Sequence, residues 1–340
     1  MTPHSRTGTA RTATYPDASP RSPRRARRRP AVVRVPGLAG PAVLLAGLMA
    51  LTGCSGPAPF VPDSPVVSNP TTERHLLVTS ADTDEGRAVA EIYAGALNAA
   101  GIEATVTDAT AEAGLADAVS AGIADVAPGR TGTLLLDLDA GSGATTADSV
   151  LEALREALPE HLAVLAPAAA DSHSALVATA ATAEQYDARN LSDLAPSCGK
   201  LTLGAPAGFR SSAQGLPGLE GGYDCVPGTF VALADDGGEA VQALISGSVD
   251  VVELPATQPA IVDHGLVVLE DPKTVFAAQQ VVPVVNAKVV GQDAVDVLNR
   301  VSAELGSDDL TDLNRAVAGD ARLTPAEAAS DWLEGNGFTT

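Results

Sequence analysis

From residue 75 onward, short apolar runs alternate with segments that have helical periodicity. The run HLLVT at 75–79 predicts a strand, and the following segment repeats apolar residues from Val89 onward at the i, i+3, i+4 spacing of a helix face. Glu85, three residues after Asp82, predicts a capping box at the start of this helix, and Gly101 predicts its end. Such alternation is typical of α/β folds with largely parallel sheets.

The same patterns continue to the end of the chain. Further strands are predicted at 102–107, 124–127, 162–166, 174–178, 201–205, 229–233, 249–253, 266–269 and 281–285, and further helices at 112–121, near 131, and at 146–158, 238–246, 293–305, 308–317 and 325–335. A proline in the run VVPVV predicts an edge or crossover position for the strand at 281–285. The three tail helices have no strands between them, so we expect them to pack on the first unit, in a chain that crosses twice between two lobes.

The first 53 residues have the features of a lipoprotein signal peptide. An arginine-rich stretch precedes the apolar run at 37–53, which ends in Leu-Thr-Gly before Cys54. The linker at 54–74 is rich in proline and serine. We therefore expect cleavage before Cys54, diacylglycerol attachment to its thiol, and a protein held at the extracytoplasmic face of the membrane. A transmembrane anchor is the alternative, although the run is short for one and contains proline and glycine.

Charge and cysteine content agree with an exported protein. Residues 1–53 hold nine arginines and one acidic residue, whereas the rest of the chain holds 12 basic and 41 acidic side chains. Such an acidic body repels phosphate backbones, which excludes nucleic-acid binding. With Cys54 lipidated, Cys198 and Cys225 remain, and an even number outside the cytosol predicts a disulfide. Two free buried thiols are the alternative; two cysteines without a nearby histidine predict no metal site.

Several motifs, in order, resemble the substrate-binding proteins of ABC importers for glycine betaine, choline and carnitine. They lie at 174–196, 203–209, 215–219, 259–271, 280–285 and 332–337, so the resemblance covers nearly all of residues 75–338. The resemblance implies a type II periplasmic-binding-protein-like α/β fold, in which a ligand sits in a cleft between two lobes that close over it. We expect lobe 1 to comprise 75–178 and 286–340, and lobe 2 to comprise 179–285.

Candidate ligand contacts follow from that implied cleft. They are Asp82, Thr83, Glu85, Arg130, Thr131, His173, Phe209, Arg210, Thr257, Gln258 and Gln280. The alternative for the acidic and threonine residues near helix starts is capping, and for Phe209 it is the lobe core. Thr257 and Gln258 are also consistent with an ordinary loop, and His173 with a structural role.

The cleft residues depart from the family where an aromatic cage is expected. The family has Tyr-Pro-Glu-Tyr-Thr-Gly-Thr where this chain has APGRTGT at 127–133, and a second aromatic position is Pro255 here. The family's usual arginine in the second lobe is Ser212, although Arg210 lies close by. Aromatic faces hold quaternary ammonium groups, whereas a guanidinium beside a helix start favours a carboxylate or phosphate. Arg130 therefore predicts an anion contact, or alternatively an ion pair with one of the many acidic groups.

The expected function is that of a solute-binding protein of an ABC importer, monomeric and without a cofactor. It would capture a small osmolyte such as glycine betaine, choline or carnitine and deliver it to the membrane permease. One alternative is that the same fold binds an anionic or zwitterionic solute. Another is a receptor lipoprotein without a transport role. An exported hydrolase is a remote one, because the sequence has no Gly-x-Ser-x-Gly, His-Glu-x-x-His or phosphate-loop motif.

Overall fold

The computed structural model describes residues 75–234, 237–318 and 322–339, which form two α/β lobes. The predicted signal peptide, Cys54 and the linker lie outside the described residues. We name the part built on the first sheet lobe 1 and the part built on the second sheet lobe 2. No helix of the described part is both long enough and apolar enough to span a membrane.

Lobe 1 is a five-stranded sheet covered by helices. Its strands are β1 (Leu76–Val78), β2 (Ala104–Val106), β3 (Val126–Arg130), β4 (Leu162–Val164) and β10 (Val281–Asn286). Its helices are α1 (Asp84–Ala99), α2 (Leu115–Ser120), α3 (Thr131–Leu138), α4 (Ala147–Ala157), α10 (Gln292–Glu304), α11 (Ser307–Ala318) and α12 (Pro325–Gly335), with a 3-10 turn at Glu112–Gly114. The strand order is β2-β1-β3-β10-β4, and β10 runs antiparallel to both of its neighbours.

Lobe 2 repeats this plan. Its strands are β5 (Ser174–Ala178), β6 (Thr202–Pro206), β7 (Thr229–Leu233), β8 (Val251–Pro255) and β9 (Val267–Leu269). Its helices are α5 (Ala180–Gln185), α6 (Leu191–Leu194), α7 (Leu216–Tyr223), α8 (Gly238–Ile245) and α9 (Pro259–Asp263), with 3-10 turns at Ala195–Lys200 and Ala207–Arg210. The order is β7-β6-β8-β5-β9, and here β5 is the antiparallel strand. Both sheets are thus mixed, but four strands of each run in one direction and a single strand runs against them, in line with the expectation of largely parallel sheets.

Two strands belong to the lobe other than the one expected for them. Pairing places β5 in lobe 2 and β10 in lobe 1, whereas the expected boundaries assigned 174–178 to lobe 1 and 281–285 to lobe 2. Hydrophobic pattern predicts a strand but carries no information about which sheet it joins. Two segments between the lobes result, at 165–173 and 270–280, and they pair with each other through Asp171 and Gln280.

An edge or a crossover position was predicted for the strand at 281–285. The edge position is wrong, since β10 is an inner strand between β3 and β4, whereas the crossover position is confirmed, since β10 follows the second lobe-connecting segment. Pro283 lies opposite Pro128, and its carbonyl accepts from Leu165 N on the β4 side. In an antiparallel pair, the N–H and C=O of one residue point to the same neighbour. The side of Pro283 that lacks an N–H therefore faces Leu165, which lies just beyond the end of the short β4. The lost hydrogen bond is thus outside the β4–β10 ladder.

Helix α1 joins lobe 1 to the tail. Thr83 is its N-cap, with its hydroxyl accepting from Gly86 N at 3.0 Å, so the predicted capping box starting at Asp82 is wrong. The helix ends before Gly101, whose φ of 81° suits glycine. Its buried face includes Tyr93, which shares a 2.9 Å hydrogen bond with Ser302 of α10. Burial raises the pKa of the Tyr93 phenol.

The tail packs on lobe 1, as predicted. Helices α10, α11 and α12 share one hydrophobic core with α1 and the lobe 1 sheet. Trp332 of α12 stacks on Phe338 with ring centroids 5.6 Å apart, and both side chains are buried. Burial of large apolar side chains, at about 1.5–3 kcal/mol each, stabilises this arrangement. The chain therefore returns to lobe 1 after building lobe 2.

The core of lobe 2 contains both remaining cysteines. Cys198 and Cys225 are bonded through their sulfur atoms, and their Cα atoms lie 5.3 Å apart, within the usual range for a disulfide. Both are buried beside Leu219 and Tyr223. The bond ties the 3-10 turn before β6 to the segment that leads into β7.

Candidate functional site

A small recess lies on lobe 1 where β1 and β3 end and α1 begins. Adjacent parallel strands end at the same edge of a sheet, which brings their loops together. The recess is lined by Ala81, Thr83, Glu85, Gly86, Val89, Glu112, Pro128, Gly129, Arg130 and Val281. Its volume is about 20 Å³, enough for roughly one water molecule. Three of the predicted ligand contacts, Thr83, Glu85 and Arg130, are therefore brought together.

Arg130 is held by a carboxylate that the sequence analysis did not single out. Nε of Arg130 donates to Oε1 and Oε2 of Glu112 at 2.7 and 2.9 Å, and Nη2 also contacts Oε2. The backbone N–H of Arg130 donates to Glu112 Oε1 at 3.1 Å. Glu112 is 12% exposed and Arg130 31%. The guanidinium charge is thus compensated within lobe 1, as the ion-pair alternative expected.

Glu85 connects the recess to lobe 2. Its Oε2 accepts from Nδ2 of Asn314 on α11 at 2.6 Å. The same Nδ2 lies 3.4 Å from the carbonyl and hydroxyl oxygens of Thr257, which follows β8. Asn314 therefore touches both lobes beside the recess. Arg315, the next residue of α11, reinforces this contact by pairing with Asp263 of α9 at 2.9 Å.

Asp82 and Thr83 act locally at the start of α1. Asp82 is exposed and pairs with Arg87, which also lies 3.4 Å from Asp84. Thr83 caps the helix through its hydroxyl while its side chain borders the recess.

Thr131 and Gln280 hold the two lobe-connecting segments to α3. The Thr131 hydroxyl donates to the Ala278 carbonyl at 3.3 Å and accepts from Gln280 N at 3.1 Å, and Thr131 itself is fully buried. Gln280 donates through Nε2 to the Ala168 carbonyl at 2.9 Å. A Cβ on Gly132 would lie 2.7 Å from Ala278 O, so this close approach requires glycine. Both predicted contacts are engaged in the hinge.

His173 lies in the same hinge region, paired with Asp171. Its Nδ1 is 3.4 Å from Asp171 Oδ1, which also accepts from the backbone N–H groups of His173 and Gln279. The Asp171 carboxylate raises the pKa of His173 against the opposing effect of burial. For Asp171, burial raises the pKa of the carboxyl group, but the His173 imidazole and the two backbone donors lower it more, so the pKa is below its ordinary value. Ser172 between them shares a 2.8 Å hydrogen bond with Thr257 of lobe 2.

The pair of His173 and Asp171 predicts that the stability of the protein depends on pH. Because the folded pKa of His173 is raised, its stabilisation is complete below the unfolded value of about 6.5 and is lost as the pH rises through the folded value. Asp171 has a lowered pKa, so its contribution is complete above about 3.9 and is lost on acidification through its folded value. We expect unfolding free energy to fall as the pH rises above 6.5, measured by urea titration.

The control for this prediction is Asp171→Asn. It should return the His173 titration, followed by NMR, towards the ordinary histidine range and flatten the pH dependence. An unchanged His173 titration in that variant would contradict the pairing.

The remaining predicted contacts lie in lobe 2 and do not line the recess. Phe209 is buried in the lobe 2 core, with its ring centroid 6.2 Å from that of Phe276, in line with the core alternative. Arg210 is exposed and its guanidinium stacks over Phe230 at 4.6 Å. Gln258 is the N-cap residue of α9.

A larger groove of about 680 Å³ lies at the β2 edge of lobe 1. Ser80, Arg87, Glu91, Asp108 and Thr324 are among its lining residues, and none of the predicted ligand contacts is. Burial raises the pKa of Glu91. Among the described residues, no group of three or more histidine, cysteine or acidic side chains could hold a metal ion.

Sequence reasoning missed Glu112, Asn314 and Asp171. Glu112 is 18 residues before Arg130, and Asn314 is 229 residues after Glu85. No local pattern links residues at such separations. Asp171 could have been predicted from the sequence, because it lies two residues before His173 in the polar segment between β4 and β5.

Solved structures with this fold are found among binding proteins of ABC transporters. A glycine betaine/carnitine/choline ABC transporter structure matches with a TM-score of 0.69 and 19% identity, over 77% of this chain and 99% of that one. Apo YehZ from Escherichia coli matches with a TM-score of 0.64 and 24% identity, over 78% of this chain and 99% of that one. Lactococcal OpuAC, closed and complexed with glycine betaine, matches with a TM-score of 0.54 and 18% identity, over 78% of this chain and 96% of that one. At these identities the likeness establishes the type II fold.

Comparison with curated protein sequences finds no match. A protein-family model does match, over residues 74–335, and its description is "Substrate binding domain of ABC-type glycine betaine transport system". This match spans both lobes, both lobe-connecting segments and most of the tail, which is well over half of the chain. The chain therefore belongs to the family of substrate-binding domains of ABC-type glycine betaine transport systems.

Proposed function

We propose that this chain captures a small ammonium-bearing osmolyte, of the class that includes glycine betaine, choline and carnitine, between its lobes and delivers it to an ABC permease. The observation that carries the proposal is the position of Glu85. Its carboxylate lines the recess, and its partner Asn314 touches Thr257 of lobe 2. A solute bound at Glu85 would therefore lie beside the contact between the lobes.

The lobe-connecting segments support a capture mechanism by closure. There are two such segments, and they pair through Asp171 and Gln280. The hydrogen bonds of the second segment to Thr131 lie outside the recess. Rotation about two adjacent segments is the usual hinge of two-lobed binding proteins. Contacts made by a solute with both lobes would favour the closed state, which a permease could distinguish from the open state.

Charge at the recess favours a cationic group over an anion. Arg130 and Glu112 compensate each other, and Glu85 adds a further negative charge. An anionic solute would have to compete with Glu112 for the guanidinium while approaching the Glu85 carboxylate. The alternative of an anionic solute therefore loses the support that Arg130 alone would give it.

We further propose that Cys54 carries the lipid that anchors the protein at the extracytoplasmic face of the membrane as a monomer. The leader, the linker and the disulfide support this location. Binding and release need no cofactor and no chemical step, and membership of a transport family supports a protein without enzymatic activity.

Small-angle scattering and thermal unfolding test the proposed capture. Millimolar glycine betaine, choline, carnitine or a related small amine should reduce the radius of gyration and raise the Tm, because a ligand that binds only the folded state at 100 times its Kd adds about 2.7 kcal/mol. Sorbitol at the same concentration is the control for non-specific osmolyte stabilisation. If no ammonium-bearing solute in a broad panel changes either quantity beyond sorbitol, the proposed function is wrong.

A further inference from the structure

We infer that the recess takes an ammonium group that still bears N–H donors, as in a primary or secondary amine, in preference to a quaternary ammonium. The inference rests on the proposed function, since it names the kind of solute captured there. Three features of the recess lead to it: an available carboxylate, the lack of an aromatic wall, and the size of the space.

The available carboxylate is that of Glu85. Oε2 accepts from Asn314, whereas Oε1 has no hydrogen-bond partner within the described part of the chain. Both oxygens of Glu112 are already engaged by Arg130. An N–H of an ammonium group can donate to Glu85 Oε1 in a charge-assisted hydrogen bond. A quaternary ammonium has no such donor and would leave that oxygen unbonded.

Within the described part of the chain, no aromatic side chain lines the recess. Aromatic faces are what proteins use to hold quaternary ammonium groups. The aromatic side chains of the described residues are engaged elsewhere: Tyr93 with Ser302, Phe209 with Phe276, Trp332 with Phe338, Phe230 with Arg210, Tyr223 with Lys273, and Tyr186 against the lobe 2 core. The described lining of the recess thus lacks the surface that proteins use to hold a quaternary nitrogen.

The size of the recess favours the same group. A volume of about 20 Å³ holds roughly one water molecule, and an –NH3⁺ group is of similar size. A trimethylammonium group adds three methyl groups to the nitrogen and needs several times that space. Widening the recess is restricted, because an added Cβ on Gly129 would already lie 3.0 Å from Leu115 and Leu134 behind it.

Calorimetric titration with a methylation series tests the inference. Glycine, sarcosine, N,N-dimethylglycine and glycine betaine share one carboxylate, and each step of the series replaces one N–H donor with a methyl group. Ethanolamine and choline form a second series. The protein is expressed with its own leader and purified in detergent. We expect affinity to fall along each series, with the quaternary member at least about tenfold weaker than the primary amine.

Two variants of the first turn of α1 make the test specific. Glu85→Gln keeps an acceptor but removes the charge, and it should weaken binding of the primary amine by about tenfold or more while affecting the quaternary member less. Asp84→Asn removes the same charge from the neighbouring position, where the side chain is 59% exposed and does not line the recess. It should change affinity less than about twofold.

The outcomes separate this inference from the proposed function. A flat series, or tighter binding of glycine betaine and choline than of their primary amines, overturns the preference while leaving solute capture intact. Failure of both series also overturns it, and the scattering panel then decides whether any ammonium-bearing solute is captured. Equal effects of the two variants would assign the loss to general electrostatics and overturn the role of Glu85.

Discussion

Replacing Arg130 with alanine should lower the free energy of unfolding by about 2–3 kcal/mol. The substitution leaves Glu112, which is 12% exposed, without the guanidinium that contacts both of its oxygens. Breaking a buried ion pair from one side costs about 3–5 kcal/mol, and the partial exposure of Arg130 lowers that figure here. Urea unfolding followed by circular dichroism measures the difference through the midpoint at constant m.

A second substitution identifies the cause of that loss. Combining Arg130→Met with Glu112→Gln removes both charges and keeps an acceptor for the backbone N–H of residue 130, so most of the stability should return. Arg87→Ala is the matched control, because Arg87 pairs with the carboxylates of Asp82 and Asp84 but is 43% exposed, and its loss should be below about 1 kcal/mol. Equal losses for Arg87→Ala and Arg130→Ala would contradict the account of Arg130.

Removing the disulfide should destabilise the protein by about 3.5 kcal/mol. Cys198 and Cys225 are 27 residues apart, and the chain-entropy relation gives this value for a loop of that size. Cys198→Ser combined with Cys225→Ser should therefore lower the urea midpoint. Serine also places two hydroxyl groups in positions that are 2% and 4% exposed, which adds to the loss.

Reduction of the unmodified protein provides the control for this double variant. Dithiothreitol should lower its midpoint to near that of the variant, and it should leave the midpoint of the variant unchanged. Recovery of two free thiols from the folded, unreduced protein, or equal stability of the two proteins, would show that the bond does not form.

Local sequence patterns predicted most of the elements. The runs HLLVT and LTLGA became β1 and β6 within one residue at each end, and the apolar spacing after Val89 became α1. The tail helices and their packing on lobe 1 also followed from the pattern. These features depend on residues within a few positions of one another, which is the range over which periodicity and capping operate.

The candidate site could be predicted only in part. The cleft at the strand ends that the family resemblance implied selected Thr83, Glu85 and Arg130, and these do lie together. The same reasoning selected Phe209 and Arg210, which contact rings of lobe 2 instead. Side-chain direction at a strand end depends on what packs against it, and the neighbours of Phe209 and Arg210 come from 20 to 67 residues away.

The sequence by itself determined an α/β chain with an acidic body, a basic and apolar leader pattern before Cys54, and one pair of cysteines after Cys54. Only the tertiary structure decided that β5 pairs in the lobe 2 sheet and β10 in the lobe 1 sheet, and that Pro283 is tolerated in an inner strand. It also decided that Glu112 compensates the charge of Arg130. The physical reason is the range of the interactions. Propensity and periodicity act between neighbours in sequence, whereas strand pairing and ion pairing join groups that folding brings together from distant segments.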